Sequence, residues 1–265
     1  LNGSARIEPE LAALEGKPVK AFLLAGGNGT RLRPLTDTIP KCLAPIRGKP
    51  ILAIWLELCA RSGITEILIN LHAHAGEIEG FLRHLRSPVN VKAVYEPELL
   101  GSAGTVAANR AWLESDPSFW ILYADVLTNV DLRGMSEFHQ RTQALATLGL
   151  CQVADPSRCG VAVADADGVI VDFQEKPRHP RSNWVFSGLM IASRSFLEEI
   201  PPFAPADIGF HVLPRLLGRM RSYPMAGYLL DIGTMANYLQ AQSTWPGHGA
   251  EGPPARAQQP PPGVI

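Results

Sequence analysis

The sequence predicts an α/β fold, a mostly parallel sheet with helices on both faces, and three observations carry that expectation. From about Val19 to Ser243, short apolar runs rich in Val, Ile and Leu alternate with segments of helical periodicity. A cluster of glycines follows the first apolar run directly, at the edge where a parallel sheet opens its crevice. Two later runs end in aspartates, Asp125 and Asp231, which places both carboxylates at that edge.

In chain order, residues 19–24 read as the first strand. Residues 51–61 read as a helix, because Ile51, Ile54, Trp55 and Leu58 share one face. A second strand over 65–70, a helix over 76–85 and a third strand over 89–95 continue the alternation. Residues 103–112 read as a helix, 119–123 as a strand ending in Ala124-Asp125, and a helix lies near 136–142. Strands follow near 145–152, 160–164, 169–174 and 184–192. Residues 210–220 then read as helical, 228–230 as extended and 235–241 as helical. Regular strand-helix order fills 19–130 and consecutive strands dominate 131–244, so two halves of one domain, 19–244, are expected to share a sheet. Residues 1–18 form an N-terminal extension, and 245–265, loaded with Pro and Gly and without periodicity, read as a mobile tail. No internal repeat is found.

Composition narrows the function classes. The chain has 265 residues, is 46% hydrophobic and has 24 Lys+Arg against 25 Asp+Glu, a formal net charge of −1. No global field exists to attract nucleic acid or an anionic membrane. The longest apolar stretches fall far short of the roughly 18–20 residues that cross a bilayer. The N-terminus has no apolar signal core and opens on Leu1, so a processed start, no export and a cytoplasmic location are the expectation. The four cysteines, Cys42, Cys59, Cys151 and Cys159, form no C-x-x-C pair and read as buried or free thiols. His72 and His74 form an H-x-H without a Cys or acidic partner at ligand spacing, and read as loop histidines.

The strongest motif is Gly26-Gly27-Asn28-Gly29-Thr30-Arg31-Leu32-Arg33-Pro34-Leu35-Thr36, with Pro40-Lys41 after it. Glycines directly after a strand let backbone N–H groups approach a polyanion closely. No Gly-Lys-Ser/Thr follows, and Leu32 occupies the third glycine position of a dinucleotide fingerprint, so neither common nucleotide motif applies. Arg31, Arg33 and Lys41 could neutralise a triphosphate bound there. Asp125 and Asp231, at two strand ends, could share one hard cation with phosphate oxygens and water completing its shell.

With Leu100-Gly101-Ser102-Ala103-Gly104, Glu175-Lys176-Pro177 and Asp231-Ile232-Gly233-Thr234 in the same order, the chain resembles the sugar-1-phosphate nucleotidyltransferases, or NDP-sugar pyrophosphorylases. The resemblance implies a three-layer, Rossmann-like (GT-A-like) fold. It also implies a reaction in which a sugar 1-phosphate attacks the α-phosphorus of a nucleoside triphosphate and releases pyrophosphate. A phosphate oxygen is already an anionic nucleophile near neutral pH, so positioning and charge neutralisation suffice. Arg31, Lys41 and Asp125 are then the expected catalytic groups. Leu24, Ala25, Gly26, Gly27, Gly29, Thr30, Arg31, Glu96, Gly101 and Gly104 are expected to bind nucleotide through the half 19–130. Gly160, Glu175, Lys176, Ser187 and Gly188 are expected to bind the sugar phosphate through 131–244. Asp125 and Asp231 are the implied ligands of Mg²⁺, with Mn²⁺ as its substitute.

The chain departs from the family pattern at Ala124, where glycine is usual, and at Phe186-Ser187, where Asn-Ala is usual. Glu96-Pro97-Glu98-Leu99-Leu100-Gly101-Ser102-Ala103-Gly104 is similar to the corresponding stretch of mannose and heptose 1-phosphate guanylyltransferases, which points to GTP. Uridylyl or thymidylyl transfer to another sugar 1-phosphate, a metal-dependent glycosyltransferase and a non-catalytic nucleotide-sugar sensor are the alternatives. The expected partners are the triphosphate and the sugar 1-phosphate, with a homodimer left open and neither nucleic acid nor membrane involved.

Overall fold

The computed structural model describes residues 19–113 and 116–248. The predicted extension 1–18, and the predicted tail from 249 onward, lie outside the described residues. The chain runs β1 (Lys20–Leu24), β2 (Pro45–Ile46), β3 (Lys49–Pro50), α1 (Ile51–Arg61), β4 (Glu66–Leu71), α2 (Ala75–His84), β5 (Asn90–Tyr95) and α3 (Gly101–Ala108). It continues through β6 (Ser118–Tyr123), β7 (Val126–Thr128), α4 (Leu132–Thr142), β8 (Ala146–Gln152), β9 (Gly160–Ala164), β10 (Ile170–Glu175) and β11 (Trp184–Ser193). Strands β12 (Met220–Pro224) and β13 (Leu229–Asp231) and helix α5 (Met235–Thr244) complete it.

Among the described residues, nine strands form one mixed sheet with the path β10-β9-β11-β6-β1-β4-β5, and β8 and β12 join it through β11. Strands β6, β1, β4 and β5 are parallel. Strand β11 runs antiparallel to β6, β8 and β9, and so stitches the second half onto the first. The two halves are therefore one continuous layer.

Alternate residues of the central strands enter two separate cores. Leu23, Ile69 and Leu122 pack with α1 on one face, whereas Phe22, Leu68 and Ile121 pack with α3 and the segment around Val212 on the other. Both sets are buried, which explains why these strands read as unbroken apolar runs. At about 1.5–3 kcal/mol for each fully buried large side chain, a polar residue on either face would be costly. Asp131 caps α4 by accepting the Arg133 N–H at 2.9 Å. Thr234 does the same for α5 through Asn237.

Two expectations need correction. Residues 210–220 are not one helix: a single π-helical turn over Ile208–Val212 passes into a short 3₁₀ turn over Leu213–Arg215, and Met220 already begins β12. Pro214 has no N–H to give, and Gly218 sits at φ +80, which ends helical propagation. The tail does not begin at Trp245. That indole is 5% exposed, stacks edge-on with Tyr228 at 5.2 Å, and its carbonyl accepts Arg47 Nη1 at 2.9 Å. His248 Nε2 reaches the Ile54 carbonyl at 3.0 Å, so packing extends at least that far.

Candidate active site

Beyond β1 the chain enters a crevice of about 390 Å³, lined by the glycine loop, the start of α3 and Tyr123-Ala124-Asp125. Asn70, at the end of β4, organises its floor. Its Oδ1 accepts the N–H groups of Ala25 (2.8 Å) and Gly26 (3.2 Å), and its Nδ2 donates to Thr105 Oγ1 on α3. Thr105 Oγ1 in turn donates to Glu96 Oε1 at 2.6 Å. This buried chain of bonds locks three segments together and uses N–H groups that the loop would otherwise offer a ligand.

The three loop glycines differ in their reasons. A Cβ on Gly26 would lie 2.5 Å from Asn70 Nδ2. Gly29 sits at φ +64, with its carbonyl accepting the Thr36 hydroxyl at 2.7 Å. Gly27 has no atom within 4 Å of such a Cβ, so it keeps ground open in the crevice itself.

The charged groups converge across the crevice. Lys41 Nζ lies 2.6 Å from Asp125 Oδ2. A Cβ on Gly233 would lie 2.7 Å from Asp231 Oδ1, 3.0 Å from Arg31 Nη2 and 3.1 Å from Lys41 Nζ. The antiparallel pair β7–β13 sets Asp231 opposite Val126, and the Ile232 N–H donates to the Asp125 carbonyl at 2.9 Å. Burial, and then the charge of Asp125, raise the Asp231 carboxyl above its ordinary range, while Lys41, the Gly233 N–H and Arg31 act the other way. Two carboxylates meeting here, the charge of Asp125 raising the cost of ionising Asp231, fit a hard divalent cation. Among the described residues no third His, Cys or acidic side chain joins them, so further ligands would be oxygens of substrate or water.

Gly101 and Gly104 play parts that the sequence does not reveal. Gly101 sits at φ +78, and a Cβ there would collide with the Ala206 carbonyl oxygen. The N–H groups of Ala103 and Gly104 donate to that same oxygen at 2.9 and 3.1 Å. The Gly104 N–H is therefore engaged within the protein, and of the two glycines expected to bind nucleotide here only Gly101 lines the crevice.

On the acceptor side Gly160 faces Glu175 across β9–β10. A Cβ on Gly160 would lie 2.7 Å from Glu175 Oε2. Lys176, at φ +50, holds its Nζ 3.5 Å from Glu175 Oε1 and 5.3 Å from the Phe210 ring centre. Gly188 is at φ +81, closed in by Tyr123 and Val126. The Ser187 hydroxyl is buried beside Gly149 and has no hydrogen-bond partner among the described residues, so the expected sugar contact through it is not available in this arrangement. None of these five residues lines the crevice. Tyr123 links the two sides: burial foremost, then the charge of Asp207 and further Glu175 and Asp125, raise its hydroxyl well above the usual range.

A family model described as nucleotidyl transferase matches residues 20–246. The chain belongs to the nucleotidyl transferase family. A mannose-1-phosphate guanyltransferase of Schizosaccharomyces pombe is 33% identical over 228 residues, which are 83% of this chain and 62% of the relative. The catalytic subunit beta of a mannose-1-phosphate guanylyltransferase of Drosophila pseudoobscura pseudoobscura is 33% identical over 229 residues, again 62% of its length. This chain thus spans less than two thirds of those relatives. Among solved structures, HddC from Yersinia pseudotuberculosis complexed with GMP-PN superposes with a TM-score of 0.73 at 25% identity, covering 86% of this chain and 99% of that one.

For this nucleotidyl transferase fold, sequence reasoning missed Asn70, Thr105, Tyr123 and Asp207. Asn70, next to last in β4, is a polar residue after an apolar run as Asp125 is, and that is a signal that could have found it.

Proposed function

We propose that the chain joins a nucleoside triphosphate to a sugar 1-phosphate, with GTP and mannose or heptose 1-phosphate as the preferred pair. The observation that carries this reading is the meeting of Arg31 and Lys41 with Asp125 and Asp231 at the end of an open glycine loop. A sugar-phosphate oxygen attacks the α-phosphorus. The bond from that phosphorus to the oxygen bridging to the β-phosphorus breaks, and pyrophosphate leaves with the electron pair. Arg31 and Lys41 offset the charge that builds on the leaving group. Glu175 accepts hydroxyls of the sugar, and Lys176 meets its phosphate. Asp125 and Asp231 would hold Mg²⁺, or Mn²⁺ in its place, which when bound supplies the charge that lets two polyanions approach. The names of the relatives and the guanine nucleotide bound to a structural neighbour support the choice of GTP.

Pyrophosphate release measured across the four nucleoside triphosphates and a panel of sugar 1-phosphates tests the reading. Release with GTP and mannose or heptose 1-phosphate, abolished by chelator and restored by Mg²⁺ or Mn²⁺, is expected. No release with any pair, or consumption of a nucleotide sugar with no pyrophosphate formed in either direction, would overturn it.

A further inference from the structure

We propose that Asp207, bonded to Ser102, is a positioning residue for both substrates, holding the nucleotide wall and the acceptor carboxylate Glu175 in one register. The inference rests on the transfer reaction above and adds to it a residue outside its motifs.

Five hydrogen bonds tie 206–208 to the start of α3, although the two segments are about a hundred residues apart. Ala206 N donates to the Leu100 carbonyl at 2.8 Å, and the Ala206 carbonyl accepts from Ala103 and Gly104. Ser102 Oγ donates to Asp207 Oδ2 at 3.0 Å and accepts the Ile208 N–H at 2.8 Å. Gly101, Ser102 and Thr105 line the crevice, whereas Asp207 does not. The strut therefore reaches the nucleotide wall from behind.

Its other end reaches the acceptor. Asp207 Oδ1 accepts the Phe210 N–H at 3.1 Å, which fixes the π-helical turn. Within that turn, a Cβ on Gly209 would collide with Glu175 Oε2 and would lie 3.3 Å from Asp207 Oδ1. Glu175 occupies the space that Gly209 leaves, so a shift of the turn moves the Glu175 carboxylate directly. Both oxygens of Asp207 are thus engaged, one toward each substrate.

The discriminating measurement is nucleotide binding without acceptor, because Asp207 does not itself line the crevice and would act on the nucleotide only through Ser102. Calorimetric titration uses whichever nucleoside triphosphate the wild type binds most tightly. Asp207→Ala is expected to weaken that binding on the order of tenfold, with a comparable rise in the acceptor KM, while the melting temperature stays near that of the wild type. Ser102→Ala should do the same, the double variant should be no worse than the weaker single one, and Ser102→Thr should recover most of the loss by restoring Oγ. Should Asp207→Ala fail to fold, Asp207→Asn, which keeps one carbonyl oxygen, is expected to give an intermediate loss in both measurements. Unchanged triphosphate binding in the folded Asp207 variant, or additive losses in the double variant, would overturn the strut. A wild type that binds triphosphate but releases no pyrophosphate would count against the reaction alone, since the binding measurements still decide the strut.

Discussion

Lys41 and Asp125 lie 2.6 Å apart and form an ion pair on the wall of the crevice. Such a contact would position the lysine for the proposed triphosphate. Arg31, which meets the same point near Gly233, is the second cation. Arg31→Ala and Lys41→Ala are each expected to lower turnover by about a hundredfold or more with the fold retained, the scale of losing one electrostatic stabiliser. Steady-state pyrophosphate release alongside a thermal melt checks this, and turnover within twofold of wild type in either variant would remove the assignment.

At the scale of elements, two glycines of the same site are expected to behave in opposite ways. Gly101→Ala forces a side chain into left-handed backbone and against the Ala206 carbonyl. It should cost about 2–5 kcal/mol of stability, read as a lowered midpoint in urea. Gly27→Ala meets nothing within 4 Å and should unfold at the wild-type midpoint, yet bind triphosphate more weakly because the methyl occupies open crevice. The same contrast explains what the sequence could disclose. The parallel strands and the glycine loop were legible because their pattern is local: two buried faces give an unbroken apolar run, and three glycines within five residues of a strand's end mark a loop that side chains would block. Strand β12, Met220–Pro224, carries little β-branched or alternating signal, since its place is set by pairing with β8. Asn70 and Asp207 were illegible for a related reason. An isolated Asn or Asp after an apolar run resembles a turn former, and only partners 44–45 and 105 residues away give them their roles.

For the molecule as a whole, stability should depend on pH through a histidine remote from the site. His139 lies on α4, buried against β8, with Nδ1 2.8 Å from Thr147 Oγ1. Burial lowers its pKa to about 4. Unfolded, it titrates near 6.5, so between those values the unfolded chain binds a proton that the folded chain does not. The contribution is full above about pH 6.5 and is lost as pH falls toward 4, up to about 3 kcal/mol for this group. Glu175 and Asp231, raised by burial, act in the opposite sense as they titrate. The comparison with a variant isolates the histidine: between pH 7 and pH 5, the melting temperature of wild type should drop further than that of His139→Gln. Equal drops would show that His139 is protonated in the fold.

The ribbon formed by β7 and β13 also sets a timetable for the ribosome. Asp231 follows Gly26 by 205 residues in the chain. At a synthesis rate of about 5–20 residues per second, the loop emerges roughly 10–40 s before the second aspartate exists. Throughout that interval the nascent polypeptide has a glycine loop, Arg31 and Lys41 but an unfinished set of acids, and the set is completed only when the last described strand has been translated.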